Sequence, residues 1–320
     1  MKIAIIGAGI AGVTAAHKLQ ARGHHIEIFE KSRGPSGRMS TRQNLPWQAD
    51  HGAQFFTAKA PAFQAQVTEW CAQGLAALWN GKIDNQGSRK PINRYVAVPR
   101  MNALVAALCA PLKLHFSFTL TALQKINQST GPQWQLISQE AGVHVAPFDA
   151  VIFAIPSPQL APFLAQIPQA MHPIIAASEY APCWTIMAGY ETPISLPFDA
   201  RFIDESVLSW VARNHSKPGR TGPETWTLHA SAAYSREHLE DEPEAVTQTC
   251  LQAFYAVGAP PPDWVQAHRW RYALASNTLA PTDHALWDSN MQLGLCGDWL
   301  SDGRIEGAWL SGKNCADKVA

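Results

Sequence analysis

Three glycines near the amino terminus carry the first chemical signal in this chain. In GAGIAG, Gly7, Gly9 and Gly12 have the spacing of a dinucleotide fingerprint, with Ile10 and Ala11 between them. One glycine permits a tight turn, one lets the backbone approach a pyrophosphate, and one allows close helix packing. Phosphates suit the start of the following helix, because its first amides have no intrahelical acceptor and the macrodipole favours an anion there. Glu30 stands where the fingerprint places an acid for ribose hydroxyls. A carboxylate at that point repels a 2′-phosphate, so FAD or NAD(H) is favoured over NADP(H), with Lys31 and Arg33 as cations that pull the other way.

Two more stretches bear on the same ligand. The block KSRGPSGRMSTR is rich in Gly, Ser and Arg, which marks a loop, and it brings Arg38, Met39 and Ser40 within reach of phosphates. Asp50 to Phe56 (DHGAQFF) is a turn followed by aromatic residues, a path for Gln54 and Phe55 beneath a flavin ring. Near the carboxyl terminus, CGDWLSDGRIEGAWLSG places Gly297 and Asp298 at a strand end and Glu306, Gly307 and Ala308 at the opening of a last helix. Asp298 can accept hydrogen bonds from ribityl hydroxyls, and the helix can set its positive end at a flavin pyrimidine, where negative charge grows on reduction. A nicotinamide dehydrogenase needs no such return of the chain end; a long FAD does.

The elements that must hold these groups follow from the hydrophobic pattern. Lys2 to Ile6, His25 to Phe29, Phe148 to Ile155 and Leu293 to Cys296 read as buried strands, and Val13 to Ala21 as the helix after the glycines. Ala62 to Leu78 reads as one helix and Met101 to Cys109 as another. Leu112 to Leu120 and Trp134 to Ser138 read as strands of a meander with a turn at Asn127 to Gly131, and Asn80 to Ile92 as a hairpin or loop. From 156 to 280 the chain is dense in Pro, Trp and Tyr, with strand-like runs at Trp184 to Tyr190, Val207 to Ala212, Trp226 to Ser231 and Ala267 to Ala273 and one clear helix at Glu244 to Val257. Strands with so little crossover helix predict an antiparallel sheet.

The resulting expectation is an α/β fold: a three-layer Rossmann-like FAD-binding domain from residues 1–58, 95–156 and 282–320, with an inserted α+β substrate domain, built on an antiparallel sheet, from 59–94 and 157–281. Lys plus Arg and Asp plus Glu each number 25, so nothing suggests nucleic acid or an anionic membrane as partner. Apolar runs fall short of a spanning helix and no charged leader precedes the first strand, which predicts a cytoplasmic protein. The six cysteines contain no CxxC pair, and no metal-ligand spacing stands out among the histidines.

GAGIAG, Glu30, GRMST at Gly37 to Thr41, DHGAQFFTA from Asp50 and the block from Cys296 together resemble the renalase family, its bacterial members in particular, within the FAD-dependent amine oxidase and hydroxybenzoate-hydroxylase superfamily. WTLHAS (Trp226 to Ser231) and HRWRYA (His268 to Ala273) extend the resemblance through the middle. It implies non-covalent FAD and oxidation of the 1,2- and 1,6-dihydro isomers of NAD(P)H to NAD(P)+, with O2 as acceptor and hydrogen peroxide as product. It also implies that His229 and Trp270 orient the substrate ring, with Arg271, Tyr272 and Gln54 as lesser candidates. Strand alternation agrees in part: Thr227, His229 and Ser231 share one face, turned to solvent or to a polar cavity.

Two rivals stand beside this reading. Flavin amine oxidases commonly keep a lysine near the reactive flavin nitrogen, and between Ile126 and Gly312 the only lysine is Lys217, in the loop-like NHSKPG, so such a lysine is poorly supplied. Trp299 and Trp309 nonetheless suit an amine pocket. The other rival is a non-enzymatic binding scaffold on the same fold, against which the intact glycines and Glu30 speak.

Overall fold

A computed structural model describes residues 1–85, 92–128, 131–140, 142–144 and 146–320. The chain forms two compact units, one of residues 1–37, 105–179 and 275–320, the other of 38–104 and 180–274.

The first unit is built on a six-stranded sheet in the order Leu286–Asp288, Leu293–Leu295, Ala150–Phe153, Lys2–Ile6, His25–Phe29, Lys113–His115. All neighbours are parallel except the first pair. Parallel strands covered on both faces must be apolar throughout, and Ile3, Ala4, Ile5, Val151 and Ile152 have no exposed surface. The helices Ile10–Gln20 and Ile305–Lys318 pack together. A side chain at Gly312 would overlap the Ala11 carbonyl, and one at Gly12 the Gly7 carbonyl, so both contacts require glycine. An antiparallel sheet of Leu120–Gln128, Gly131–Ser138 and Gly142–Val143 lies against the sheet elsewhere, where Phe29 meets Phe118 and Phe148 and the Trp134 indole donates to the Met291 carbonyl.

The second unit holds the sheet Trp264–Asn277, Ser178–Tyr190, Glu224–Ala230, Leu208–Arg213, Ala200–Phe202, Ile83–Asp84. The four strand-like runs of the sequence are its four long strands. Alternation sends Trp226, Leu228 and Ala230 into a core completed by Val246, Leu251 and Phe254 of the helix Pro243–Ala256. The opposite, polar face is covered by the hairpin Thr41–Asn44 and Trp47–Asp50: Thr225 donates to the Gln48 carbonyl at 2.5 Å and Thr227 to the Asp50 carbonyl at 2.9 Å. Residues 38–58, which the sequence groups with the cofactor domain, thus hydrogen-bond within the second unit.

Three expectations change. The helix read over Ala62 to Leu78 is Pro61–Ala72, stopped by Gly74 at φ +71°, and Ala76–Leu78 becomes a strand paired with Tyr95–Ala97. The strand read over Leu112 to Leu120 is two: Lys113–His115 joins the parallel sheet and Leu120–Gln128 the antiparallel one, with Ser117 at φ +51° between them. Short helices at His172–Ala176 and Ala232–Glu237 accompany Pro243–Ala256. Of the turn read at Asn127 to Gly131, residues 129 and 130 lie outside the described residues, as do 86–91 of the segment Asn80 to Ile92. Among the described residues no helix is long and apolar enough to cross a membrane.

Because the two helices touch through backbone at Gly312, Gly312→Val is expected to destabilise the protein by about 1–3 kcal/mol, the usual cost of overpacking. Denaturant titration checks this; an unchanged midpoint contradicts it.

Candidate active site

The glycine turn sits at the carboxyl end of Lys2–Ile6, and the Gly297 turn at the same end of Leu293–Leu295, with only Ala150–Phe153 between them in the sheet. Ligands of open α/β sheets bind at that edge. Gly7 has φ +109°, and a side chain there would press on the Ala154 carbonyl oxygen at 2.7 Å. Gly9, the residue before the helix, has open space where a side chain would be. The helix it opens has no side-chain cap and no acid in its first turn, so the amides following Gly9 present a bare positive end. Glu30 is buried; it accepts from the Ala8 and Ser32 amides, each at 2.9 Å, which fixes the carboxylate beside the turn with lone pairs to spare. Backbone amides, a clear approach and a fixed acid fit the diphosphate and ribose of a dinucleotide.

The other expected ligands of the first unit divide. Ile10 and Ala11 lie in the first helical turn. Lys31 is exposed and reaches Gln159 at 3.2 Å. Gly297 and Asp298 enter a short 3-10 turn rather than an open loop; the Gly297 amide donates to Ser311, and the Asp298 carbonyl receives the Ser301 and Gly303 amides. Glu306, Gly307 and Ala308 form the buried first turn of the last helix, as the sequence predicts. Trp299 is buried with its indole donating to the Ile155 carbonyl at 3.1 Å, which makes it a packing residue.

In the second unit the site is organised by Asp50. Its carboxylate accepts from Arg220 at 2.6 Å, Lys217 at 3.4 Å, the Thr41 hydroxyl at 2.7 Å and the Met101 amide at 3.0 Å, and Asp50, Arg220, Lys217 and Met101 are all buried. Burial pushes the Asp50 carboxyl up, but Lys217, Arg220 and the Met101 amide outweigh it and hold the group at about 2. Lys217 is the residue the sequence undervalued. Its chain position is a loop, yet its ammonium is fully buried and donates also to Gln54 at 3.0 Å and Asn214 at 3.4 Å. Burial brings it down to about 8, against the pull of Asp50. Gln54 is consumed here: its amide donates to the Asp50 and Gly52 carbonyls and its oxygen holds Lys217.

Next to Asp50 stands His51, whose carbonyl receives the Trp270 indole at 3.0 Å and whose backbone raises the His229 imidazole against its burial. His51 therefore anchors Trp270 and adjoins His229, the two residues that the family resemblance singles out. The His51 ring stacks on Trp270 at 5.2 Å and meets His268 edge-on at 4.8 Å; Arg42 approaches His268 at 3.3 Å. Burial lowers all three imidazoles, His51 to about 3 with help from His268 and Arg42, His229 to about 4 with Lys217, and His268 to about 4 with Arg42. Arg42 Nε, His51 Nδ1 and His229 Nε2 are buried without a hydrogen-bond partner. Such atoms are costly unless a ligand or water completes them.

Other expected residues fall outside this cluster. Arg271 pairs with Glu240 at the exposed surface, and Tyr272 packs on Tyr180. Phe55 packs on Trp79 and Trp210. The Arg38 and Ser40 carbonyls receive amides of the Asp50 to Ala53 turn, Arg38 reaches the Ala273 carbonyl at 3.3 Å, and Met39 is core. His51, His268 and Arg42 were not singled out by spacing. The pattern that marks them is polar residues on hairpin and strand positions that face another strand's polar side.

Two outcomes follow from this geometry. Gly9→Ala is expected to fold as stably as the parent but to bind dinucleotide at least tenfold more weakly, read by melting curves and ligand titration. The unfolded chain holds more protons than the fold at these histidines, whose values drop from 6.5 to about 3–4. Stability is therefore complete above about pH 6.5 and is lost as pH falls toward 4, with Asp50 adding a further loss toward pH 2. Melting temperature against pH checks this, and a flat profile between pH 6.5 and 4 contradicts it.

Known proteins share this fold. Residues 5–70 match a family of NAD(P)-binding Rossmann-like domains and residues 71–320 a family of flavin containing amine oxidoreductases. A triple mutant of putrescine oxidase superposes with a TM-score of 0.77 over 99% of this chain and 98% of its own, at 13% identity. Cyclohexylamine oxidase from Brevibacterium oxydans does so at 0.75, with the same coverage and identity. At such identities the likeness is one of fold. The 4,4'-diapophytoene desaturase of Staphylococcus aureus strain Newman is 50% identical over 52 residues, 16% of this chain and 10% of the desaturase, so the chain matches only a tenth of that relative's length. With more than half of its residues in one family match and the glycine cradle intact, the chain belongs to the flavin containing amine oxidoreductases and takes FAD as its cofactor.

Proposed function

We propose that this protein is an FAD-dependent oxidase of the renalase type, which returns 1,2- and 1,6-dihydro isomers of NAD(P)H to NAD(P)+. The observation that carries the reading is the charge of the histidine cluster. Lys217 and Arg220 face one carboxylate, Asp50, which already has four donors, and a further cation, Arg42, stands against His268. Among the described residues of the cluster no free acid awaits an ammonium substrate. The unpartnered Arg42 Nε, His51 Nδ1 and His229 Nε2 suit the polar and anionic groups of a nicotinamide nucleotide.

The chemistry asks little of the protein. A dihydropyridine that loses hydride becomes an aromatic cation, so no base must remove a proton. The balanced reaction is dihydronucleotide, O2 and a proton giving NAD(P)+ and hydrogen peroxide. FAD, bound non-covalently, would supply the two-electron acceptor between the dihydronucleotide and O2. What the chain supplies is orientation: Trp270 is fixed on the His51 carbonyl with His229 beside it, and the neutral imidazoles add no positive charge against the pyridinium that forms. Six free cysteines agree with work in the reducing cytoplasm.

Amine oxidation is the second reading, favoured by Lys217, a buried lysine brought down to about 8. The two separate in oxygen-consumption assays. Isomeric dihydronucleotides are expected to turn over and primary amines not, and His229→Ala and Trp270→Ala to lose at least tenfold in kcat/KM while keeping the flavin spectrum. Turnover of amines that vanishes in Lys217→Met would replace the first reading with the second.

A further inference from the structure

Glu27 is a buried carboxylate with more basic neighbours than a structural ion pair needs. Lys2 lies 3.2 Å from Oε1, while Lys113 at 3.1 Å, His115 at 2.7 Å and His144 at 4.0 Å all converge on Oε2. Strand register assembles them. Glu27 pairs with Lys113 and Phe29 with His115 in the parallel sheet, so Lys113 and His115 share the Glu27 face. His144 arrives from the antiparallel sheet, anchored by its amide on the Leu136 carbonyl at 2.8 Å and by Gln135 on its own carbonyl. Aromatic rings hold both imidazoles: Phe29 stacks on His115 at 4.6 Å and stands edge-on to His144 at 5.3 Å, with Phe148 on the other ring contact of His144. His144 Nδ1 faces the Ala146 carbonyl at 3.0 Å, and donation there leaves Nε2 with a bare lone pair turned toward Glu27.

We propose that Glu27, His115 and His144 bind a divalent transition ion of the zinc type, through Glu27 Oε2 and the Nε2 atoms of the two histidines. The three ligand atoms already lie within 4.8 Å of one another. Tetrahedral zinc with bonds of about 2.0–2.1 Å sets its ligands roughly 3.3 Å apart, so His115 backs off slightly and His144 closes in. Two imidazoles and one carboxylate are a donor set that zinc accepts with its fourth position left to water, and a carbonyl behind a ligating imidazole is the usual support for its ring. Magnesium and calcium, which take oxygen ligands, do not suit it.

A cation already shares the carboxylate oxygen that the ion would take. It is the ammonium of Lys113, whose side chain is 65% exposed and can turn into water without leaving a packed position. Lys2 can remain, on Oε1 and over the Phe148 ring at 4.3 Å. The ion would clip the edge strand Lys113–His115 to the chain after Gly142–Val143 and so stabilise the unit by mass action.

The test uses FAD-loaded protein freed of metal by a chelator and titrated calorimetrically with Zn2+ and with Mg2+. One Zn2+ per chain is expected, with a raised melting temperature, and no heat from Mg2+. His144→Ala should weaken Zn2+ binding at least tenfold and Lys113→Ala tighten it severalfold, both with the flavin spectrum kept. On the unaltered protein, Zn2+ should protect His115 and His144 from diethyl pyrocarbonate, read by mass spectrometry, which needs no variant to fold. Failure to bind Zn2+, or binding that leaves both histidines open to the reagent, overturns the proposal.

Discussion

The second unit depends on one buried carboxylate. Asp50 ends a hairpin strand, and its side chain and backbone together tie that hairpin to the Lys217 turn, to Arg220, to the amide of Met101 and to Thr227 on the large sheet. Breaking a buried pair costs about 3–5 kcal/mol because the surviving charge is left without water. Here two cations share one anion, so the cluster keeps a positive balance that no described neighbour in it cancels. Burial lowers the imidazoles beside it, with Lys217 adding to this at His229 and Arg42 at His51 and His268.

Rigidity at the site has the same origin. His51 follows Asp50 directly, and its carbonyl accepts from Trp270 of one strand beside His229 of another. The ring positions are thus inherited from the hairpin, and the hairpin from the ion pairs. In the first unit the equivalent role falls to backbone: Gly7, Gly12 and Gly312 let chain segments approach where any side chain would collide, and Gly9 leaves the helix end clear.

Local features were legible from the sequence and distant ones were not. GAGIAG, its flanking strand and helix, and Glu30 are all set by neighbours in sequence, and the glycines at the cradle sit as their spacing predicts. The long strands of the second unit announce themselves by alternation, and so does the polar face that carries His229. Lys217 is not legible as a buried cation because a proline and a glycine beside it mark a loop, while the partners that surround it, Asp50 and Gln54, lie far back in the chain. Glu27, His115 and His144 are likewise united by parallel register and by a sheet docked on another, which no spacing encodes. The apolar run Ala76–Leu78 carries the hydrophobic pattern of the helix past its end at Ala72, although Gly74 stops the helix and the run pairs as a strand.

The most direct measurement of the central claim is anaerobic mixing of the yellow protein with a single purified dihydropyridine isomer. The account predicts that the flavin colour is lost within the mixing experiment and that one equivalent of NAD(P)+ forms per flavin, with no bleaching by primary amines. Bleaching by an amine accompanied by aldehyde and ammonia, with the isomers inert, would contradict it.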